Sequence, residues 1–397
     1  MTARLVLVVN AGSSSLKYQL VDPASGTTAA AGLVERIGEA GVKAVARHTV
    51  SGRDLVQEVD APDHRAAMRI VLAAFTTHGP ALHEDGLRAV GHRVVHGGDR
   101  FSSPTVIDSA VIEAIEALIP LAPLHNPGNL AGIRAARAAF PDVPHVAVFD
   151  TAFHQSMPDY AYTYAVPKDW RVRHRVRRYG FHGTSHAYVS RRAAVLLGSP
   201  VAETNVIVLH LGNGASATAV QGGCSIDTSM GLTPLEGLVM GTRPGDLDPA
   251  LAFHMSRQGL SIEDYDRALN KASGLAGLTG SNDFREVSAR VAAGDPDARL
   301  ALDVVSYRLA KYIGAYAVAL GRLDALVFTA GIGEHSPLLR AAVGARLGLL
   351  GVRIDPARNE IGSGERLVTT DDSSVPVFVV PTDEELEIAR QTLAVLR

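Results

Sequence analysis

Residues 5–21, LVLVVNAGSSSLKYQLV, contain the pattern that best indicates the fold class. Residues 5–9 form a continuous apolar run typical of a buried strand, residues 10–15 are small and polar as in a turn, and residues 16–21 resume a strand pattern. The same design returns about half a chain later in NVIVLHLGNGASATAV, residues 205–220. We therefore predict a duplicated core that has one strand–turn–strand hairpin in each half.

The remaining pattern indicates the α/β class with two similar lobes. Further strands are predicted at residues 88–95, 145–149, 325–329 and 375–380, and packing helices at residues 108–118 and 300–320. From the duplication we predict an N-terminal lobe over residues 1–150, joined by the C-terminal helix 385–397. Residues 151–384 then form a C-terminal, nucleotide-binding lobe.

Composition narrows the partners. The 397 residues include 38 Lys plus Arg against 41 Asp plus Glu, so the net charge of −3 gives no reason to expect a nucleic-acid or membrane partner. A basic run at residues 171–178 is better explained as a local surface stripe near an anionic site than as an RNA contact. With a single cysteine, Cys224, and no segment that resembles a signal peptide or a membrane span, we expect a cytoplasmic protein.

Glycine-rich turns after buried strands point to phosphate binding. Glycine has no Cβ, so backbone N–H groups in such turns can approach phosphate oxygens, although a single tight hairpin uses the same residues for conformational reasons. A third turn, AGIGEHSP at residues 330–337, has Ser336 and Pro337 placed to begin a helix, and it suits either an adenosine or an ordinary strand-to-helix connection. The chain has no Walker A sequence and no complete GxGxxG, so neither a P-loop nor a Rossmann fold is supported.

The C-terminal motif TDEE, residues 382–385, predicts a helix start. Thr382 and Glu385 have the spacing of a capping box, which would occupy Glu385 and leave Glu384. Glu384 could interact with the helix dipole, or it could ligate magnesium together with Asn10, because magnesium takes oxygen ligands and keeps several waters.

Charged residues in loops suggest an anionic substrate. Arg93 in HRVVHGG (residues 92–98) and Arg243 in GTRPGDLDP (residues 241–249) would suit a carboxylate and a transferring phosphoryl group, although either could be an ion-pair partner. Asp150 follows a strand at the edge where ligands bind in α/β sheets, and could also cap a turn. His182 and His186 are four residues apart, but an HExxH glutamate is missing, so a zinc site is not predicted.

Taken in order along the chain, these segments resemble the acetate kinase family. The motifs that carry the resemblance are NAGSSSLK (10–17), HRVVHGG (92–98), DTAFHQ (150–155), YGFHGTSH (179–186), HLGNG (210–214), GTRPGDLDP (241–249) and the Gly331 turn. The resemblance implies two duplicated, ribonuclease H-like lobes around an ATP cleft, as in the acetate and sugar kinase, chaperone ATPase and actin superfamily. It also implies a homodimer.

The resemblance assigns roles to individual residues. Asn10 and Glu384 would organise Mg²⁺, with Mn²⁺ as an alternative; Arg93 and Arg243 would grip the carboxylate and the phosphoryl group; Asp150 would orient the substrate; His182 would donate to the phosphoryl group, with His125 near it. Nucleotide contacts would come from Lys17, His210, Gly212, Asn213, Gly214, Asp283, Arg285, Gly331, Ile332 and Gly333. The acyl methyl pocket would be formed by Val95, Leu124, Phe181 and Pro234.

The implied activity is direct, reversible, in-line transfer of the γ-phosphoryl group of ATP to acetate. Two alternatives stay open at this point. One is a propionate or butyrate kinase, which would differ in the depth of the acyl pocket. The other is a nucleotide-gated binding protein that has no phosphoryl acceptor.

Overall fold

The computed structural model describes residues 5–80, 82, 86–360 and 362–397. Its strands are β1 Leu5–Ala11, β2 Ser15–Asp22, β3 Thr27–Glu35, β4 Ala44–Val50, β5 Arg53–Val59, β6 Leu87–Val94, β7 Thr105–Val106, β8 His145–Phe149, β9 Asn205–Leu211, β10 Ala215–Gln221, β11 Cys224–Thr228, β12 Ala325–Thr329, β13 Arg366–Leu367 and β14 Val377–Val379. Its helices are α1 His64–His78, α2 Ser109–Ala117, α3 Asn126–Ala139, α4 Asp159–Tyr162, α5 Lys168–His174, α6 Gly183–Leu197, α7 Leu251–Arg257, α8 Ile262–Lys271, α9 Gly274–Thr279, α10 Phe284–Ala292, α11 Pro296–Leu320, α12 Ala330–His335, α13 Pro337–Gly344, α14 Pro356–Glu360 and α15 Glu384–Ala394.

The chain forms two compact units. The first comprises residues up to Phe153 together with Asp383–Arg397, and the second comprises His154–Thr382. The sequence predicts lobe boundaries at residues 150 and 384. The structure places Glu384 in the first unit, because this residue begins α15.

The first unit contains an eight-stranded sheet in the order β5-β4-β3-β2-β1-β6-β8-β7. β1 and β2 form the predicted antiparallel hairpin, in which Asn10 is opposite Lys17. β1 runs parallel to β6, and β6 runs parallel to β8. The carboxyl ends of these three strands therefore meet at one edge of the sheet, which brings Asn10, Arg93 and Asp150 to that edge.

The second unit repeats this topology. Its six strands lie in the order β11-β10-β9-β12-β14-β13, with β9 antiparallel to β10 and parallel to β12. The succession β11-β10-β9-β12-β14 matches β3-β2-β1-β6-β8 of the first unit in both order and direction. The predicted α/β fold with a duplicated core is confirmed.

Helices cover the first sheet. Leu5, Leu7 and Val9 of β1 share a buried apolar core with Met68 of α1 and Ala136 of α3. α15 packs against β1 and β6. It approaches the sheet closely, because a Cβ on Gly91 would lie 2.5 Å from the Thr392 hydroxyl.

The predicted capping box at the start of α15 is wrong. Asp383 is the N-cap residue, and its carboxylate accepts a hydrogen bond from the Leu386 N–H at 2.9 Å. Thr382 instead pairs its hydroxyl with Ser185 at 2.8 Å, and Glu385 pairs with Lys17. Ser185 and Lys17 are both far from the start of α15 in sequence, so local spacing does not reveal these two pairs.

The predicted glycine turn at residues 330–337 is a short helix. α12 begins at Ala330, directly after β12, and Ala330 has a left-handed φ of 63°. α13 follows with Ser336 as its N-cap, since the Ser336 hydroxyl accepts from the Leu339 N–H at 3.2 Å, and with Pro337 in its first turn. The predicted helix start at Ser336 and Pro337 is confirmed.

Candidate active site

An arginine–carboxylate cluster lies at the carboxyl edge of the first sheet. Arg93, on β6, donates from Nε to Asp150 Oδ1 at 3.0 Å and from Nη2 to Asp150 Oδ2 at 2.7 Å. The Glu384 carboxylate lies 4.0 Å from Arg93 Nε. Asp150 is fixed in turn by its own backbone N–H, which donates to Val94 O at 2.9 Å. The bidentate geometry orients the guanidinium rigidly.

Electrostatics within this cluster are unequal. Burial raises the pKa of Glu384 to about 6, although the neighbouring Arg93 lowers it in part. Burial lowers the pKa of Arg93, but the nearby carboxylates of Asp150 and Glu384 raise it by more than burial lowers it. The net shift of this pKa is upward, so Arg93 stays charged. Glu384 therefore holds its proton more tightly than an exposed glutamate does, even with Arg93 beside it.

Buried amides position the loop that follows β6. Asn129 Oδ1 accepts from the Val95 N–H at 3.0 Å, and Asn129 Nδ2 donates to Ala11 O at 2.7 Å. Asn126 exchanges two hydrogen bonds with the backbone of His96, and the Thr151 hydroxyl accepts from the Gly97 N–H at 3.0 Å. Asn129 and Thr151 therefore join the ends of neighbouring strands, a role that the sequence analysis missed.

The other predicted residues of the first unit lie around this edge. Asn10 is half-buried near the end of β1, and Lys17 reaches Glu385 from β2. His125 occupies the N-cap position of α3, but its side chain does not cap the helix. Leu124 precedes it, with 61% of its surface exposed.

His182 and Arg243 of the second unit both lie beside Gly214. A Cβ built on Gly214 would lie 2.7 Å from Arg243 Nη2 and 3.6 Å from His182 Nε2. His182 has a left-handed φ of 57°, which is uncommon for a residue with a side chain. Arg243 donates to Pro234 O, and burial lowers its pKa. Because Gly214 has no Cβ, the space beside the Arg243 guanidinium and the His182 ring is left open.

Serine hydroxyls hold the histidines near Gly214. His182 Nδ1 lies 2.9 Å from Ser216 Oγ, and His186 Nε2 lies 2.7 Å from the same oxygen. His210 Nδ1 lies 2.8 Å from Ser185 Oγ, and its ring stacks on that of His182 with centroids 4.2 Å apart. Neither serine was predicted as functional, although Ser185 lies within the YGFHGTSH motif.

An open cavity of about 1090 Å³ in the second unit contains most of the predicted nucleotide residues. Its lining includes Gly212, Asn213, Asp283, Arg285, Gly331 and Ile332. Asp283 begins α10 as its N-cap and forms an ion pair with Arg285. Gly333 lies behind this lining, against the backbone of Phe328. The volume is slightly above the upper limit of about 1,000 Å³ that is typical of small-molecule sites, so the cavity is large enough for a nucleotide.

Comparison with known proteins identifies the family. The model of the acetokinase family matches residues 5–390. The chain belongs to the acetokinase family. Within this family, the acetate kinase of Leifsonia xyli subsp. xyli is 60% identical over 390 residues, which are 98% of this chain and 98% of that protein. The resemblance predicted from the motifs is confirmed.

Crystal structures of acetokinase relatives share the whole fold. Acetate kinase from Porphyromonas gingivalis matches with a TM-score of 0.94 and 44% identity, over 100% of both chains. A propionate kinase from Francisella tularensis subsp. tularensis SCHU S4 matches with a TM-score of 0.93 and 43% identity, over 98% of this chain and 99% of that chain. The identities of these two structures to the chain differ by one percentage point, so this comparison does not distinguish acetate from propionate as the substrate.

The described residues contain neither a large cluster of metal-binding side chains nor a membrane-spanning helix. Among the described residues, no group of three or more His, Cys, Asp or Glu side chains is arranged to hold a metal ion. No helix in the described ranges is long and apolar enough to cross a lipid bilayer.

The residues predicted for the acyl pocket are divided between the two units. Val95 and Leu124 lie in the first unit, whereas Phe181 and Pro234 lie in the second, so that pocket stays a prediction.

Proposed function

We propose that this acetokinase is an acetate kinase, which transfers the γ-phosphoryl group of ATP to acetate and gives acetyl phosphate and ADP, reversibly. The observation that carries the proposal is the full-length similarity to proteins named acetate kinase. The geometry supports the proposal. In the first unit, Asp150 holds Arg93 in a fixed orientation that suits binding of a carboxylate, and the second unit contains a cavity large enough for a nucleotide.

The acceptor requires no catalytic base. A carboxylic acid of this kind is ionised near neutral pH, so its oxygen can attack the γ-phosphorus directly while the bond to the bridging oxygen of ADP breaks. Asp150 occupies Nε and Nη2 of Arg93, which supports a role for Nη1 in binding the acetate carboxylate. Val95, Leu124, Phe181 and Pro234 are proposed to surround the methyl group.

The transferring phosphoryl group is proposed to bind beside Gly214. Arg243 would neutralise charge on its oxygens, and His182 would donate a hydrogen bond to it, with His125 as a further donor. His210, Gly212, Asn213 and Lys17 are proposed to contact the phosphates. The cavity residues Asp283, Arg285, Gly331 and Ile332 would hold the adenosine, with Gly333 as support.

Asn10 and Glu384 fit a magnesium ion. They offer an amide oxygen and a carboxylate, which are ligands that magnesium prefers, and two protein ligands suffice because the ion keeps waters and binds phosphate oxygens. The shifted pKa of Glu384 supports the assignment, since a nearby cation would relieve its buried charge. When bound, Mg²⁺, or Mn²⁺ in its place, would neutralise phosphate charge.

We further propose a cytoplasmic homodimer. The family resemblance supports this assembly, and the exposed side chains of Phe253, Ile262 and Val318 supply apolar surface for a partner. Sedimentation of the purified chain tests the stoichiometry, and a monomer at micromolar concentration would contradict it.

Steady-state kinetics test the activity itself. We expect ADP to form with acetate and ATP–Mg²⁺, and kcat/KM to be highest for acetate among acetate, propionate and butyrate. A higher value for propionate would reassign the substrate, and this outcome has support in the propionate kinase structure that matches the chain. Equal rates of ADP formation with and without any acid would instead indicate a nucleotide-gated binding protein.

A further inference from the structure

His182 and His186 share one serine hydroxyl. His182 is the N-cap residue of α6, with a left-handed backbone, and His186 lies in the first turn of that helix. Nδ1 of His182 lies 2.9 Å from Ser216 Oγ, and Nε2 of His186 lies 2.7 Å from the same oxygen. Ser216 is the second residue of β10. Ser216 and His186 are completely buried. This short chain of polar groups ends at the histidine proposed to contact the phosphoryl group.

Proton counting restricts how the three groups can be arranged. The serine hydroxyl can donate one hydrogen bond and accept two. Among the described residues, His186 Nδ1 has no hydrogen-bond partner. If His182 Nδ1 donates to the hydroxyl and the hydroxyl donates to His186 Nε2, a neutral His186 must carry its proton on the buried, unpartnered Nδ1. If both histidines donate, the hydroxyl proton has no acceptor in the described contacts.

The remaining arrangement leaves no buried donor unmet. His186 carries its proton on Nε2 and donates to Ser216, and Ser216 donates to Nδ1 of His182. Burial, together with the nearby His154 and His210, keeps the pKa of His186 well below its ordinary value, so its ring is neutral and has one proton to place. An unpaired buried lone pair is tolerated better than an unpaired buried N–H.

We infer that Ser216 and His186 are positioning residues, which hold His182 as the neutral tautomer protonated on Nε2. This nitrogen is the one on the Gly214 side, 3.6 Å from the position of a Gly214 Cβ. The inference rests on the proposed function for its catalytic meaning, because an Nε2–H is the donor that a transferring phosphoryl group requires. The opposite tautomer would present a lone pair to an anion.

The hydrogen-bond chain from His186 through Ser216 to His182, called the relay below, also determines the charge of His182. A proton added to Nδ1 would turn this nitrogen from an acceptor into a donor and leave the Ser216 hydroxyl proton without an acceptor. The relay therefore favours the neutral ring, which acts as a hydrogen-bond donor rather than as a cation. Arg243, on the same side of Gly214, then supplies the positive charge.

Nitrogen NMR tests the relay directly. In the purified chain with ¹⁵N-labelled histidine, ring shifts distinguish protonated from unprotonated nitrogens, and the His182 signals are assigned by their loss in His182→Gln. We expect Nε2 of His182 to be protonated and Nδ1 to be unprotonated at pH 7.5. A proton on Nδ1, alone or in an imidazolium, would overturn the inference. The measurement needs no turnover, so a failed acetate kinase assay would leave it interpretable.

Ser216→Ala tests the consequence for catalysis. This variant removes one oxygen, and we expect His182 to sample both tautomers and kcat to fall roughly 10- to 100-fold, as for other partners that orient a functional histidine, with KM values little changed. The matched control is Thr218→Val, which removes a buried hydroxyl two residues along β10 that pairs with Thr228. A loss of kcat no larger than in the control, or an unchanged tautomer in Ser216→Ala, would contradict the relay.

Discussion

Arg243 is half-buried, and no carboxylate among the described residues pairs with it. Its guanidinium contacts a backbone carbonyl, and burial lowers its pKa, so the folded chain holds a cation whose charge is not compensated. A buried charge of this kind costs stability until an anion binds. This cost is consistent with a site built for the charge of a phosphoryl group.

Arg243→Ala should therefore separate activity from stability. We expect kcat/KM to fall about 10³- to 10⁵-fold, as for an arginine that stabilises a phosphoryl transition state, while Tm stays the same or rises. Arg134→Ala is the control, since Arg134 pairs with Glu116 on the surface and contributes little. Near-normal turnover in folded Arg243→Ala would remove this arginine from the mechanism.

Glu384 presents the same conflict with opposite charge. Its pKa is raised to about 6 from an ordinary 4.5, so the folded chain binds this proton more tightly than the unfolded chain does. Stability contributed by Glu384 therefore falls as pH rises from 4.5 to 6, and the loss of about 2 kcal/mol is complete above that range.

Glu384→Gln should raise Tm at pH 7.5 and reduce activity, with a higher Mg²⁺ concentration needed for half-maximal rate. Glu116→Gln is the control. It removes the surface ion pair with Arg134, in which both side chains are about half exposed, and should change both quantities little. A lower Tm in Glu384→Gln, or an unchanged Mg²⁺ requirement, would contradict the assigned role.

At the scale of elements, α3 approaches the turn between β1 and β2 very closely. A Cβ on Gly128 in its first turn would lie 2.5 Å from the Gly12 carbonyl oxygen, which is backbone and cannot rotate away. We expect Gly128→Ala to cost about 1–3 kcal/mol and to lower activity, because the turn beside Asn10 must shift.

The control for this prediction is another helical glycine. A Cβ on Gly314, in the middle of α11, would meet no atom within 4 Å. Gly314→Ala should stabilise the chain by about 0.5–1 kcal/mol, because alanine loses less backbone entropy in a helix. Chemical denaturation of both variants measures the two effects, and equal shifts of the same sign would show that the close approach at Gly128 is unimportant.

Local pattern predicted the elements that are defined by continuous runs of residues. The two hairpins, the strands of the parallel core and the helix over residues 300–320 were identified because apolar periodicity reports burial. The start of α15 was misassigned because Thr382 has the spacing of a capping box, whereas its hydroxyl bonds to Ser185, 197 residues away. A spacing rule contains no information about such a partner.

The same limit applies to the site. Arg93, Asp150 and the cavity residues stand in motifs with unusual charge or glycine content, so the sequence drew attention to them. Ser216 lies in the small-residue strand ASATAVQ, where it is indistinguishable from a packing residue until α6 brings two histidines to its hydroxyl. Asn129 is likewise a buried helical amide, and its two partners are Ala11 at the end of β1 and Val95 directly after β6.

At the scale of the whole molecule, burial affects several histidines in the same direction. The pKa values of His92, His145, His154 and His186 are all lowered, that of His154 to about 4. Each ring binds a proton less tightly in the folded chain than in the unfolded chain, where its ordinary pKa is 6.5. The unfolded state therefore binds more protons, and folding stability falls as pH decreases below about 6.5.

Acidification from pH 7 to pH 5 should accordingly lower Tm, with a cost of about 2 kcal/mol for a histidine shifted as far as His154. Glu384 acts in the opposite direction over part of this range, as do Asp227 and Asp383, whose pKa values burial also raises. His48, whose pKa burial lowers, acts in the same direction as the four histidines. Thermal unfolding followed at half-unit pH steps, at constant ionic strength, measures the net effect. Both units contain shifted histidines, His92 and His145 in the first and His154 and His186 in the second, so acidification should destabilise both of them. A Tm that is constant or rises towards pH 5 would show that these rings are accessible to protons in the folded chain, and it would also remove the support that a neutral His186 gives to the relay through Ser216.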